Sequence, residues 1–359
     1  MRERWGLYQR RSELLPGGDH PLLIAAATLG GDNAAAAWSA WSQAHGPLAE
    51  MEGAGLRLLP AIAQNLGGRL AQGPDGQRLA GITRHTWAQN QITLALLAPL
   101  LTEADRPPLI AAGTGAALAA PGGLRARAQD PVELLVAPGT QERTERALRA
   151  AGLRRSAGDG DGRGAGHRRA PASYPGRWTS GRFDILLAAE PLPVPSDGET
   201  PHRESRRLIL DGPEIELRLP PSEQLVVAIC VKATFTAGRD PLWVVDVARL
   251  IRGAGDSFDW DRLRDYARRE QVRFPVLGGL AVLGELTGVR PPEGLREKLA
   301  SPQPSARERL AGRLISGPPR LPKLRWYAHR SWNGPPQAYC LSQPDPATER
   351  SKTTPSRSS

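Results

Sequence analysis

The stretch that most constrains the fold lies near the middle of the chain, at residues 107–137, PPLIAAGTGAALAAPGGLRARAQDPVELLVA. Residues 109–112 are an apolar run that predicts a strand, and Gly113, Thr114 and Gly115 predict a turn into a small helix. A basic loop and a second apolar strand follow. A glycine turn between a strand and a helix lets backbone N–H groups approach a phosphate, and a carboxylate on the next strand could hold the accompanying Mg²⁺.

Strands and helices alternate around this stretch. The pattern predicts an amphipathic helix over residues 139–155, a third strand over residues 182–190 and a hairpin over residues 206–219. This alternation indicates an α/β (α+β) core with a small mixed sheet. Trp38 and Trp41 lie three positions apart on a predicted helix, so they share a face that we expect to lie in the core.

Composition divides the chain into consecutive regions. We predict a helical N-terminal region at residues 18–106, the α/β core at residues 107–219 and a helical C-terminal cap at residues 220–316. Residues 155–177 are rich in glycine and arginine and predict a disordered insertion within the core. Residues 317–359 are rich in proline, arginine and serine and predict a disordered basic tail.

Composition also argues against several classes of protein. No window approaches the ~18 uninterrupted apolar residues of a membrane helix, and no signal peptide is evident, so we expect a cytoplasmic protein. Cys230 and Cys340 are too few for a disulfide framework, and no zinc-binding spacing occurs. The net charge of +10 is concentrated in the predicted loop and tail, which could bind nucleic acid or an acidic protein.

One interpretation of the central stretch is a dinucleotide-binding fold. Gly113 and Gly115 begin a G-x-G-x-x-G fingerprint, and Glu133 lies near the position where an acidic ribose ligand is expected. The third glycine position is Leu118, however, and Glu133 begins its strand instead of ending it. We therefore disfavour this interpretation.

A second interpretation rests on resemblance over most of the chain. From residue 20 to residue 315 the order of segments resembles a family of uncharacterised bacterial nucleotidyltransferases in the DNA polymerase beta-like superfamily. The segments that carry the resemblance are PLIAAGTGAAL, RAQDPVELLV, RFDILLA and PSEQLVVAICVKA. It implies a small mixed sheet on which three carboxylates hold Mg²⁺, with transfer of a nucleoside monophosphate from an NTP to an acceptor.

The same resemblance assigns the metal ligands. The second position of the family's Asp-x-Asp pair corresponds to Glu133, and the carboxylate of the neighbouring strand corresponds to Asp184; both are the candidate catalytic residues. The first position of the pair is Pro131, which has no ligand atom on its side chain. Asp130 could replace it as a third ligand only if the strand bulges there.

The resemblance also assigns the phosphate site. Gly113, Thr114 and Gly115 would hold the triphosphate, with Thr114 in place of the family's lysine. The family's helical Leu-His pair corresponds to Val231 and Lys232. Two hypotheses follow: a Mg²⁺-dependent nucleotidyltransferase with an unknown acceptor and impaired catalysis, or an inactive copy that serves as a binding module for nucleic acid or another acidic partner.

Overall fold

The computed structural model describes most of the folded chain. The described residues are 20–46, 48, 51, 53–70, 74–102, 106–128, 131–155, 177–180, 184–188, 200–210, 215–236, 240–301, 303–306 and 308–309. Asp130, most of the predicted insertion and the predicted basic tail lie outside them.

The N-terminal part is helical, as its apolar periodicity predicts. The helices are α1 His20–Thr28, α2 Gly31–His45, α3 Leu59–Leu66 and α4 Pro74–Thr102, with 3-10 turns at Gly53–Leu58 and Gly67–Leu70. Trp38 and Trp41 are buried and their rings stack with centroids 5.2 Å apart, which confirms that their shared face lies in the core. Pro60 lies in the first turn of α3, where its missing N–H costs no helical hydrogen bond.

A small mixed sheet forms the middle of the chain, as predicted. Its strands are β1 Leu109–Ile110, β2 Val132–Leu135, β3 Arg154–Arg155, β4 Arg177–Thr179 and β5 Asp184–Ala188, in the spatial order β1-β2-β5-β4-β3. Strands β2 and β5 are parallel, and the other neighbours are antiparallel. Helices α5 Ala112–Ala119 and α6 Gln141–Ala150 connect them, and a 3-10 turn spans Gly123–Ala126.

The predicted hairpin is also present. After the short helix α7 Thr200–Arg203, strands β6 Arg206–Leu210 and β7 Ile215–Leu219 pair antiparallel with each other. Leu217 and Leu219 are buried beneath the five-stranded sheet and extend its apolar core.

The two faces of the five-stranded sheet differ in chemistry because side chains alternate along each strand. Val132 and Leu134 of β2 belong to a core that also contains apolar residues of β4 and β5 and four leucines of α4, Leu94, Leu97, Leu100 and Leu101. Glu133 points to the opposite face. That second face therefore carries the polar side chains of the sheet.

The C-terminal part is helical and shares a core with the N-terminal helices. It contains α8 Ser222–Thr236, α9 Leu242–Ala254, α10 Trp260–Arg269, α11 Arg273–Thr287 and α12 Leu295–Ala300, with a 3-10 turn at Gly255–Ser257. The Arg252 guanidinium donates to the carbonyls of Thr28 in α1 and Thr287 in α11. Among the described helices, none is long and apolar enough to cross a membrane.

Candidate functional site

The three positions that the resemblance assigns to a carboxylate motif, 131, 133 and 184, lie on one face of the sheet. Glu133 of β2 pairs with Leu186 of β5, and Asp184 precedes Leu186 by two residues. Because side chains alternate along a strand, the side chains of Glu133 and Asp184 share a face. Ideal strand spacings put the Cα atoms of Glu133 and Asp184 about 8 Å apart. Val132 pairs with Ile185. Extending this register by one residue places Pro131 beside Asp184.

This geometry is consistent with the Asp-x-Asp spacing that the resemblance implies, and it locates the position at which this chain has no carboxylate. An aspartate at position 131 would lie next to Asp184 and two residues from Glu133 on the same face. Three carboxylates would then converge. In this chain the central position is Pro131, whose ring offers neither an oxygen nor a nitrogen lone pair to a metal ion.

The Glu133 carboxylate has a partner from a distant helix. It is 7% exposed, and it accepts a hydrogen bond from the ammonium group of Lys232 on α8, with which it forms an ion pair. Ninety-nine positions separate the two residues in the sequence. The position that the resemblance assigns to a metal ligand is therefore neutralised within the chain.

The second candidate carboxylate is also paired. Asp184 at the start of β5 accepts a hydrogen bond from the guanidinium of Arg177 on β4. The side chains are 23% and 36% exposed, so this pair lies closer to solvent than the pair at Glu133. Arg177 lies opposite Leu186 in the sheet and thus on the same face as Asp184. The polar face consequently carries alternating negative and positive groups.

We tested whether these residues fit the magnesium site that the resemblance implies. Mg²⁺ is bound by oxygen ligands, usually carboxylates together with substrate phosphates and water. Within the described ranges, no group of three or more His, Cys, Asp or Glu side chains is placed to hold a metal ion. Glu133 and Asp184 are each engaged with a cation, and Asp130 lies outside the described residues. The described side chains do not fit a two-metal centre.

The candidate phosphate site differs from the predicted glycine turn. Strand β1 ends at Ile110, and the chain turns sharply at Ala112, which has a positive φ of 47°. Gly113, Thr114 and Gly115 lie inside helix α5, so the prediction of a turn at these three residues was wrong. The Gly115 N–H donates to the Ala111 carbonyl at 3.1 Å, and it is therefore engaged in the helix.

Close packing explains both glycines. A Cβ atom at Gly115 would overlap the carbonyl oxygen of Ile110 in the preceding strand. A Cβ atom at Gly113 would overlap the Arg127 guanidinium and lie 2.8 Å from Oδ2 of Asp246. The absent side chains thus allow α5 to approach β1 on one side and a buried ion pair on the other.

The buried ion pair beside Gly113 joins the loop after α5 to helix α9. Nε of Arg127 lies 3.1 and 3.0 Å from the two carboxylate oxygens of Asp246, and both side chains are 7% exposed. Burial raises the pKa of the Asp246 carboxyl, and the nearby positive charge of Arg127 opposes that rise. The carboxylate lies at the start of α5, where the helix dipole favours a negative charge.

The backbone around Arg127 is fixed by helix α4. The Asn90 side-chain amide donates to the carbonyls of Leu124 and Arg127 at 2.9 and 3.0 Å, and Asn90 is 8% exposed. A small cavity lined by Asn90, Thr114 and Arg127 lies between α4 and α5. Thr114, at the position where the resemblance implies a lysine, is 7% exposed and faces the interior.

Sequence reasoning did not foresee the pairing of Lys232 with Glu133 or of Arg127 with Asp246. One signal was present: Lys232 is the one charged residue within the apolar run LVVAICVKA, and Asp246 is isolated among three valines. A charge inside an apolar helix is seldom fully buried without an opposite charge. The pattern identifies the residues but not their partners, because these lie on other elements.

Comparison with protein families gives a match over most of the chain. A family model described as uncharacterised nucleotidyltransferase matches residues 57–288. The matched region includes the five-stranded sheet, the hairpin and helices α8 and α9 with Lys232 and Asp246. The curated proteins include no match to this chain.

Proposed function

The chain belongs to the uncharacterised nucleotidyltransferase family, and on that premise we propose that it is a nucleotidyltransferase-fold protein with severely impaired Mg²⁺-dependent transfer. The reaction in question moves a nucleoside monophosphate from an NTP to an acceptor. The observation that carries the proposal is the parallel pairing of Val132 with Ile185, which, extended by one residue, places Pro131 beside Asp184 on the face that also carries Glu133.

The loss of one ligand acts directly on metal binding. Two carboxylates remain on the sheet face, and each is already compensated by a cation of the chain. Loss of an outer-shell partner of a metal site typically reduces affinity or activity by about 10–100-fold. Replacement of a direct ligand by proline is expected to cost more than that.

The phosphate side supports the same proposal. A triphosphate is strongly anionic, and its binding sites supply cationic side chains and N–H donors. Here the lysine position holds the buried Thr114, and the N–H of Gly115 is engaged in helix α5. The Asp246 carboxylate already occupies the anion-binding position at the start of that helix, beside Gly113 and paired with Arg127. Each feature reduces the attraction for an NTP.

The test is calorimetric titration of the wild-type protein, Pro131→Asp and Pro131→Asp/Glu133→Gln with NTPs in the presence of Mg²⁺. We expect no saturable heat from the wild type. Pro131→Asp completes the carboxylate set and should raise the affinity at least about tenfold, because a new ligand directly contacts the metal. Glu133→Gln in the same background should remove the gain.

A transfer assay with NTPs labelled at the α-phosphate measures whether the protein is an active enzyme. Incorporation of label by the wild type, abolished by Glu133→Gln in a protein that still unfolds cooperatively, would show an active enzyme and contradict the proposed impairment. Failure of Pro131→Asp to bind Mg²⁺–NTP, with its fold intact and also when Lys232, the partner of Glu133, is replaced by methionine, would contradict the role given to position 131.

A further inference from the structure

Lys232 has an unusual environment for a lysine. It lies in the C-terminal half of α8 between the buried residues Val231 and Ala233, and its side chain is 29% exposed. The ammonium group reaches across to the polar face of the sheet and binds Oε1 of Glu133. A strongly hydrated ammonium on a flexible stem loses water and rotamer freedom in such a position, so an opposite charge must compensate it.

The Glu133 carboxylate requires a cation as well. Its side chain is 9% exposed, and an ionised carboxylate taken out of water without a partner costs several kcal/mol. A divalent ion or an ammonium group can supply the positive charge. In this chain the ammonium of Lys232 supplies it from within the fold, without dependence on the metal concentration.

A metal ion and Lys232 would compete for the same carboxylate. A divalent ion bound by Glu133 would lie within a few ångströms of the ammonium group, and like charges at about 4 Å repel strongly in a partly buried site. Arg177 adds a further positive charge on the same face, at Asp184. Entry of a metal therefore requires the displacement of Lys232 from Glu133.

From these contacts we infer that Lys232 is a built-in cation that takes the place of a divalent metal at Glu133. The inference rests on the proposed function, since it identifies the polar sheet face as the former metal site. It adds a cause of weak metal binding that is independent of Pro131. The negative charge of Glu133 is already neutralised by Lys232, so a metal ion has to compete for it. Lys232 is thus a structural cation that opposes the binding of divalent metal ions at the site.

The experiment measures binding of Mn²⁺ alone, without nucleotide, to the full chain. Manganese prefers the same oxygen ligands as magnesium and is followed directly by electron paramagnetic resonance. Lys232→Met keeps a side chain of similar length and removes the charge. We expect no saturable Mn²⁺ binding by the wild type and affinity at least about tenfold higher in Lys232→Met, because a repelling charge at contact distance is gone.

Two further variants serve as controls. Lys298→Met breaks a lysine–carboxylate pair with Asp261 at 3.7 Å, in which both side chains are more than half exposed, between α12 and α10. It should leave Mn²⁺ binding unchanged. Lys232→Met/Glu133→Gln removes both charges and should abolish the affinity gained by Lys232→Met. Thermal unfolding with and without Mn²⁺ at constant ionic strength should show stabilisation of Lys232→Met alone.

The outcomes separate this inference from the proposed function. A folded Lys232→Met protein that binds Mn²⁺ no better than the wild type overturns the inference, whatever the nucleotide assays show. Saturable Mn²⁺ binding by the wild type that is lost in Glu133→Gln overturns it too, and this measurement does not depend on the folding of Lys232→Met. Nucleotide binding gained by Pro131→Asp supports the proposed function and is compatible with the inference, because a third carboxylate helps a metal ion to displace Lys232; the Mn²⁺ affinity of Lys232→Met decides the inference.

Discussion

At the scale of single residues, the candidate site is defined by charges that meet from distant parts of the chain. Lys232 is separated from Glu133 by 99 positions, and Asp246 is separated from Arg127 by 119. Each pair joins the α/β core to a C-terminal helix. The positive charge of Lys232 lies where the resemblance implies a metal ion. The negative charge of Asp246, paired with Arg127, lies beside the start of α5, where the resemblance implies a phosphate. The site is compensated internally on both sides.

The Arg127–Asp246 pair gives a prediction about stability. Arg127→Met leaves the Asp246 carboxylate buried without its guanidinium, and loss of one partner of a buried ion pair typically costs about 3–5 kcal/mol. We expect a loss of this size near neutral pH. Urea unfolding followed by circular dichroism measures it.

The same variant should have a distinctive pH dependence. Burial raises the pKa of Asp246, and removal of the opposing Arg127 charge raises that pKa further. Between the unfolded value of about 3.9 and the folded value, the folded state binds more protons, so the free energy of unfolding falls as pH rises. Arg127→Met should therefore lose less stability at about pH 5 than at about pH 8. An equal loss at both would contradict this account, and Arg127→Met/Asp246→Asn should remove the difference.

At the scale of elements, the connection between β1 and α5 positions the phosphate side of the site. The chain leaves β1 at Ile110, turns at Ala112 with a positive φ and enters α5 at once. Only close contact between helix and strand permits so short a connection. Gly115 provides that contact, since its Cα faces the Ile110 carbonyl.

Gly115→Ala should destabilise the protein through this contact. The new Cβ would overlap the Ile110 carbonyl oxygen, which belongs to the backbone and can move only with its strand, and overpacking of this kind typically costs about 1–3 kcal/mol. Gly81→Ala in α4 is the matched control, because a Cβ there meets nothing within 4 Å. The control should gain about 0.5–1 kcal/mol from helix propensity. Equal effects of the two substitutions in urea unfolding would exclude close packing as the reason for Gly115.

The sequence predicts these elements better than it predicts their contacts. The apolar runs around Glu133 and after Asp184 predict two strands, and both are found, because a short apolar run is a local property of the sequence. The predicted turn at Gly113 was wrong because the glycine is required by a contact with Arg127 and Asp246, not by its own backbone angles. The partner of Glu133 was not predictable from periodicity, because it depends on how α8 docks on the sheet.

At the scale of the whole molecule, the helical parts before and after the sheet are not independent. Residues of α1, α2 and α3 share one apolar cluster with residues of α8, α9, α10 and α11. Helix α4 contributes Leu79 to the same cluster, and its C-terminal half covers the apolar face of the sheet with Leu94, Leu97, Leu100 and Leu101. On its own, the α/β core predicted at residues 107–219 would lack α4, which covers the apolar face of its sheet. It would also lack Lys232, which neutralises Glu133 on the polar face.

We therefore expect that a fragment of residues 107–219 does not fold by itself. Without α4, the side chains of Val132, Leu134 and Trp178 lose their cover, and burial of one large apolar side chain contributes about 1.5–3 kcal/mol. The exposure of these three side chains and the unpaired charge of Glu133 together cost an amount comparable to the whole stability of a typical domain, about 5–15 kcal/mol. Thermal unfolding followed by circular dichroism should be cooperative for the full chain and gradual for the fragment. A sharp transition in the fragment, with dispersed amide proton resonances, would instead mean that the sheet and its hairpin suffice as a folding unit.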